Sequence, residues 1–157
     1  CIPITLARRL KNSKVTSWDV SPEALAIAER NKRLNEVEIT LAQIDIFDST
    51  LPEIHADVLV SNPPYVTEKE RSDMERNVLD WEPELALFVP DSDPLLFYRR
   101  IAEVGCDILS PGGILYYEIN RAYGSETVTL LEQMGYKSVE LRKDQFGNDR
   151  MVKALRP

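Results

Sequence analysis

The sequence predicts an α/β protein built on a mostly parallel, open sheet that closes with an antiparallel hairpin at its C-terminus. Short apolar runs alternate with amphipathic helical stretches from residue 15 to residue 134, the pattern of strands joined by helical crossovers. One of those runs, Ala56 to Ser61, is continuously apolar after Asp57, as expected of a strand covered on both faces. At the C-terminal end, Lys137 to Arg142 and Arg150 to Leu155 read as strands, and the join between them, Asp144 to Asp149, is too short for a helical crossover. That pair is therefore antiparallel.

The elements follow in order. Ile4 to Leu10 reads as a helix, with Ile4, Leu6, Ala7 and Leu10 apolar, and Val15 to Val20 as a strand. Ser21-Pro22 supplies an N-cap followed by proline at the first helical position. Ala24, Ile27 and Ala28 then keep the spacing of a buried helix face. Val37 to Ile46 contains the second strand and Ala56 to Ser61 the third. Residues 66–93 are charged and broken by Pro83 and Pro90, which predicts a long loop or lid with short helices. Phe97, Ile101, Val104 and Ile108 sit at helical spacing, and Ser110-Pro111-Gly112-Gly113 stops that helix. Ile114 to Ile119 is a further strand, and Glu126 to Met134 a helix ending at Gly135.

At 157 residues the chain is long enough for one domain with its own core. Apolar residues make up 43% and charged residues 29%, an ordinary globular composition. The net charge of −7 argues against a nucleic-acid-binding surface and direct nucleic-acid binding. Two cysteines and one histidine exclude a disulfide framework and a zinc cluster, so no metal is expected. They point to a reducing, cytoplasmic setting. No apolar run approaches the roughly 20 residues of a membrane span, and no signal peptide is visible. His55 reads as a surface-loop residue, Cys106 as helix core, and Gly112-Gly113 as a turn before a strand, not a phosphate loop.

The chemistry concentrates at strand ends. Asp19 ends the first strand, Asp45 closes the second and Asn62 follows the third, at the edge where open parallel sheets bind ligands. A strand-end carboxylate such as Asp19 can accept both hydroxyls of a ribose, or can simply start the next helix. Asp45 can accept from an exocyclic amine such as that of adenine, with Ile46 and Phe47 as apolar cover, or can be a turn residue. Asn62-Pro63-Pro64-Tyr65 is the most specific element. Two consecutive prolines remove two backbone donors and fix two φ angles, and each pushes the residue before it out of the helical region. The result is a stiff, extended ledge with carbonyls free to accept. Asn62 adds a side-chain carbonyl and Tyr65 an aromatic face, which suits the capture of a planar –NH2 group.

These residues together resemble the HemK/PrmC family of release factor glutamine methyltransferases. The matching stretches are Asp19-Val20-Ser21-Pro22-Glu23-Ala24-Leu25-Ala26, Asp45-Ile46-Phe47, Val60-Ser61-Asn62-Pro63-Pro64-Tyr65, Glu82-Pro83-Glu84-Leu85-Ala86-Leu87, Phe97-Tyr98-Arg99-Arg100-Ile101, Pro111-Gly112-Gly113 and Asp149-Arg150. The resemblance implies a Rossmann-like class I methyltransferase fold and S-adenosyl-L-methionine as cofactor, with S-adenosyl-L-homocysteine as product. It implies that the substrate is a glutamine amide in class-1 peptide chain release factors, the partner proteins. It also implies that Asp19 holds the cofactor ribose, that Asp45 and Ile46 flank the adenine, and that Asn62 touches both cofactor and substrate. Asn62, Pro63, Pro64 and Tyr65 would hold the glutamine amide and form the catalytic element.

Against that family pattern, the first strand and its glycine-rich loop are missing from this sequence, as is the helical domain that precedes them. Residues 1–157 are therefore expected to be a methyltransferase catalytic domain incomplete at its N-terminus. The natural protein is expected to extend upstream by about a hundred residues, on the order of one small domain. The fragment alone is expected to bind cofactor poorly. Two other readings use the same residues. One is a methyltransferase acting on adenine N6 or guanine N2 in DNA or RNA; the other is a degenerate, non-enzymatic binding module.

Overall fold

A computed structural model describes residues 1–157, the side chain of Asp73 excepted. They form two compact units, Cys1–Pro52 and Glu53–Pro157. The first unit contains helix α1 (Ile2–Arg9), strand β1 (Thr16–Asp19), helix α2 (Pro22–Leu34) and strand β2 (Thr40–Gln43). β1 and β2 pair in parallel, with Thr16 opposite Thr40 and Asp19 opposite Gln43. The Ser21 hydroxyl accepts from the Ala24 amide at 3.1 Å, so the Ser-Pro start of α2 forms as its sequence predicts. Val37 and Ile39, leading into β2, are buried.

The second strand is shorter than the Val37–Ile46 run, and Asp45 does not close it. Asp45 instead begins a turn: its carboxylate accepts from the Phe47 amide at 2.9 Å and its carbonyl from the Asp48 amide at 3.0 Å. These local bonds compete with the strand ladder and end it early.

The second unit begins with β3 (Ala56–Ser61). The charged segment that follows holds β4 (Val66–Thr67), a 3-10 helix Glu68–Asp73, α3 (Arg76–Trp81), a 3-10 turn Glu84–Ala86 and β5 (Phe88–Val89). Then come α4 (Leu96–Ile108), β6 (Leu109–Glu118), a 3-10 turn Arg121–Tyr123, α5 (Gly124–Gln133), β7 (Lys137–Lys143) and β8 (Asp149–Leu155). The sheet order is β3-β6-β8-β7. β3 and β6 are parallel, while β8 is antiparallel to both of its neighbours. The closing hairpin thus forms as predicted, with its second strand inserted next to β6. The pairing of β4 with β5, also parallel, has no counterpart in the sequence reading, because two-residue strands carry no periodicity.

The core of this unit lies on one face of the sheet. Leu59 stands opposite Leu115, Leu115 opposite Ala154 and Tyr117 opposite Val152. Of these, Leu115, Tyr117, Val152 and Ala154 are all buried. α4 contributes Tyr98, Ile101, Ala102, Val104 and Ile108. The Tyr117 hydroxyl donates to the Tyr98 carbonyl at 2.7 Å, and the two rings lie 5.5 Å apart in a tilted pair.

Three expectations are corrected here. β3 is not covered on both faces: Leu59 lies against α4 near Gly105, but Val58 and Val60 remain 45% and 36% exposed. Successive side chains of a strand point to opposite faces, and β3 is an edge strand of its sheet. Second, Ser110 to Gly113 is not a separate stop; the chain passes from α4 straight into β6. Ala56 stands opposite Leu109 and Val58 opposite Ile114, so residues 110–113 bulge out of the ladder. Gly112 has φ +77°, and a Cβ on Gly113 would lie 2.8 Å from the Ser110 carbonyl oxygen, so both positions favour glycine. Third, Cys106 is half-buried on α4 and not a core residue. His55 is an exposed loop residue, as read.

One packing contact gives a test. A Cβ on Gly105 would collide with the Tyr136 hydroxyl, which donates to the Ala102 carbonyl at 2.8 Å. Gly105→Ala is therefore expected to destabilise by about 1–3 kcal/mol through overpacking, although alanine is the better helix former. A thermal melt that rises in the variant contradicts this packing.

Candidate functional site

In the first unit, the candidate residues cluster at the C-terminal end of the β1–β2 pair. Asp19 is exposed. Its Oδ1 accepts from the Ser21 amide at 2.9 Å, leaving Oδ2 without a donor among the described residues. The two expected roles for Asp19 are thus compatible, since Oδ1 is bonded at the start of α2 while Oδ2 of this exposed residue keeps its acceptor capacity. Asp45 is exposed in its turn, Ile46 is half-buried and Phe47 is 43% exposed. Here the turn role of Asp45 is what the geometry displays directly.

In the second unit, Asn62 to Tyr65 run from the end of β3 in extended, non-helical backbone. Asn62 is exposed, Pro63 buried, and Pro64 and Tyr65 half-buried. No described residue donates to, or accepts from, the Asn62 side chain or the Pro63 carbonyl. Tyr65, by contrast, is fixed at three points. Its amide donates to the Leu87 carbonyl at 3.1 Å, its carbonyl accepts from Asn120 Nδ2 at 3.0 Å, and its hydroxyl donates to Glu118 Oε1 at 3.1 Å. Burial first, and then the Glu118 carboxylate, push the Tyr65 phenol above its ordinary value. It therefore stays protonated and keeps donating. A double proline fixed at its downstream end is a rigid platform for two unpartnered acceptors.

Two residues that the sequence reading passed over complete this platform. Glu70 Oε2 accepts from the Thr67 hydroxyl at 2.6 Å and the Thr67 amide at 2.9 Å. Its carboxylate also accepts from Asn120 Nδ2, at 3.0 Å on Oε2 and 3.2 Å on Oε1. Thr67-Glu68-Lys69-Glu70 is a capping box, and Thr-x-x-Glu is visible in the sequence. Asn120 lies two residues beyond β6, and the strand-end rule that picks out Asn62 also picks it out. Each signal is present in the sequence, but neither by itself marks a site.

Burial alone would raise the Glu70 carboxyl, but the hydrogen bonds from Thr67 and Asn120 outweigh it and hold it below its ordinary value. A carboxyl lowered by folding stabilises the fold above its ordinary pKa of 4.5, and that stability is lost as pH falls through the lower folded value. The melting-temperature difference between unmodified protein and Glu70→Gln should accordingly be widest near neutral pH and close in acid. A gap that is constant from neutral to strongly acid pH contradicts this assignment.

Among the described residues, no group of three or more His, Cys, Asp or Glu side chains is arranged to hold a metal. No helix among them is long and apolar enough to cross a membrane.

Comparison with known proteins follows this geometry. The release factor glutamine methyltransferase of Bacteroides thetaiotaomicron is 52% identical over 157 residues, covering 99% of this chain and 56% of its own. That of Flavobacterium psychrophilum is 50% identical over 153 residues, covering 98% of this chain and 54% of its own. The chain thus spans about half the length of the curated relatives it matches. Among solved structures, a methyltransferase from Pyrococcus furiosus superimposes with a TM-score of 0.67 at 22% identity, over 96% of this chain and 66% of that one. A 16S rRNA guanine methyltransferase from Thermus thermophilus, solved with AdoMet and guanosine, gives 0.63 at 16% identity, over 97% of this chain and 33% of that one. These likenesses show the fold, that of class I methyltransferases. The profile of the methyltransferase small domain matches residues 1–80, just over half of the 157 residues and all of the candidate positions from Asp19 to Tyr65. The chain belongs to the methyltransferase small-domain family.

Proposed function

We propose that this chain is the catalytic part of a cytoplasmic enzyme that methylates the side-chain amide nitrogen of a glutamine in class-1 peptide chain release factors, with S-adenosyl-L-methionine as methyl donor. The observation that carries the reading is the pair of unpartnered acceptors on the ledge, Asn62 Oδ1 and the Pro63 carbonyl, backed by the pinned Tyr65. The 52% identity to a release factor glutamine methyltransferase supports the choice of acceptor. The residues fit the cofactor: Oδ2 of the exposed Asp19 suits ribose hydroxyls, and Ile46 and Phe47 offer apolar cover for a base beside Asp45.

An amide nitrogen is a poor nucleophile because its lone pair is delocalised into the carbonyl. Asn62 Oδ1 and the Pro63 carbonyl each accept one N–H of the glutamine amide. That grip fixes the amide plane, so the nitrogen lone pair, which lies perpendicular to that plane, is held on one line of approach. Tyr65 packs against the amide plane. When bound, the cofactor supplies an electrophilic methyl group on a sulfonium centre. On methylation the amide nitrogen would give up its extra proton to solvent at the exposed Asn62 end of the ledge. Rate comes largely from proximity and alignment, with the two carbonyl dipoles supporting the positive charge that grows on nitrogen. No strong general base is needed. This accords with the position of the lone histidine, His55, in an exposed loop.

Radiolabelled methyl transfer by the full-length protein, offered purified release factor, ribosomal RNA or DNA in parallel, tests the reading. Label is expected in the release factor. Label confined to nucleic acid contradicts it.

A further inference from the structure

Asn120 is a polar residue only 5% exposed, and every polar atom of its amide side chain is engaged. Oδ1 accepts from the Ala122 amide at 2.9 Å and caps the 3-10 turn Arg121–Tyr123. Nδ2 donates to the Tyr65 carbonyl and to both Glu70 oxygens. The backbone amide of Asn120 donates to the Tyr98 hydroxyl at 3.0 Å, which anchors it to the core tyrosine pair. Capping needs only an acceptor, and aspartate or serine caps as well as asparagine. The Nδ2 donors are therefore not explained by the cap. Both of their targets lie on the ledge side: the last carbonyl of Asn62–Tyr65, and the carboxylate that closes the capping box beginning two residues beyond it. Asparagine is suited to this place because it offers an acceptor to the turn and donors to the ledge at once. Aspartate would keep the cap, lose the donors and face the Glu70 carboxylate.

We propose that Asn120, with Glu70, is a positioning residue for the ledge. It fixes the Tyr65 carbonyl to the end of β6 and so sets the direction in which the Pro63 carbonyl and Asn62 present their acceptors. Pro64 stands between the two carbonyls with its φ locked, so fewer torsions absorb a displacement of the Tyr65 carbonyl and part of it carries back to Pro63. This inference rests on the reading of the ledge as the acceptor-amide site.

The test uses the full-length protein with Asn120→Asp, Glu70→Gln and the double variant. Asn120→Asp is expected to lower kcat for methylation of purified release factor by about 10- to 100-fold, the scale of a small misplacement of reacting groups, with little change in KM. The double variant exchanges the two groups: an amide introduced at position 70 donates to a carboxylate introduced at position 120, which restores that contact but leaves the Tyr65 carbonyl without its donor. Its melting temperature is therefore expected to recover while kcat stays low. Recovery of kcat together with melting temperature, or an unchanged kcat in Asn120→Asp, overturns the proposal. If the unmodified protein does not methylate release factor, the functional reading fails separately. Amide hydrogen exchange over residues 62–67 then decides: faster exchange in Asn120→Asp that persists in the double variant supports the positioning role, and unchanged exchange overturns it.

Discussion

Asn62→Ala is expected to reduce kcat/KM for methyl transfer by roughly 100- to 1,000-fold, the scale seen when a single preorganised polar group is removed from the reacting centre. The folded state should be almost untouched. Asn62 is exposed, no described residue depends on its side chain, and Pro63 and Pro64 keep the backbone extended whatever stands before them. The loss should appear with cofactor affinity reduced far less than kcat, because the substrate amide loses one of its two acceptors while the Asp19 end of the cofactor site is unchanged. Steady-state kinetics with release factor as acceptor, paired with cofactor titration, make the measurement. Methyl transfer by Asn62→Ala at the unmodified rate rules out the two-acceptor scheme.

Leu115→Ala is expected to cost about 2–5 kcal/mol of stability, the range for truncating a fully buried leucine. Leu115 is 0% exposed in the middle of β6, with Leu59 opposite on one side and Ala154 on the other. Neither neighbour can grow into the space, and Ala154 already carries no more than a methyl group. A loss of that size lowers the melting temperature of a chain this long by on the order of 10 °C. Val58→Ala, on the exposed face of the adjacent strand, is the matched control and should move it by far less. Equal shifts in the two variants contradict the one-sided core described for this sheet.

The parallel direction of β1, β2, β3 and β6, the closing hairpin and the ends of most helices were legible because each rests on a local signal. Ser21-Pro22 announced α2, the short Asp144–Asp149 join forced an antiparallel pair, and Gly135, at φ +92°, ended α5. Most of what was not legible depends on contacts distant in sequence. The insertion of β8 between β6 and β7 is set by side chains on three strands, and no local pattern encodes that order. The end of β2 was placed too late, at Asp45, because the pattern of residues 37–46 cannot reveal that Asp45 will instead form a turn with its own carboxylate. The cover of β3 was overestimated for a related reason. A continuous apolar strand is consistent with two buried faces but does not supply the second one. At the candidate site, Asn62 to Tyr65 stood out because two prolines are rare at a strand end. Asn120 and Glu70 did not, because an asparagine after a strand and a glutamate in a charged loop are common. Their meaning lies in meeting each other across 50 residues of sequence.

The role proposed for the ledge is to present a protein glutamine amide for methylation. Peptide mass spectrometry of purified release factor after incubation with the full-length protein and cofactor tests it most directly. One added methyl group is expected, located by fragmentation on the side-chain nitrogen of a single glutamine. Release factor that stays unmodified, or a methyl group on a carboxylate or another side chain, would contradict it.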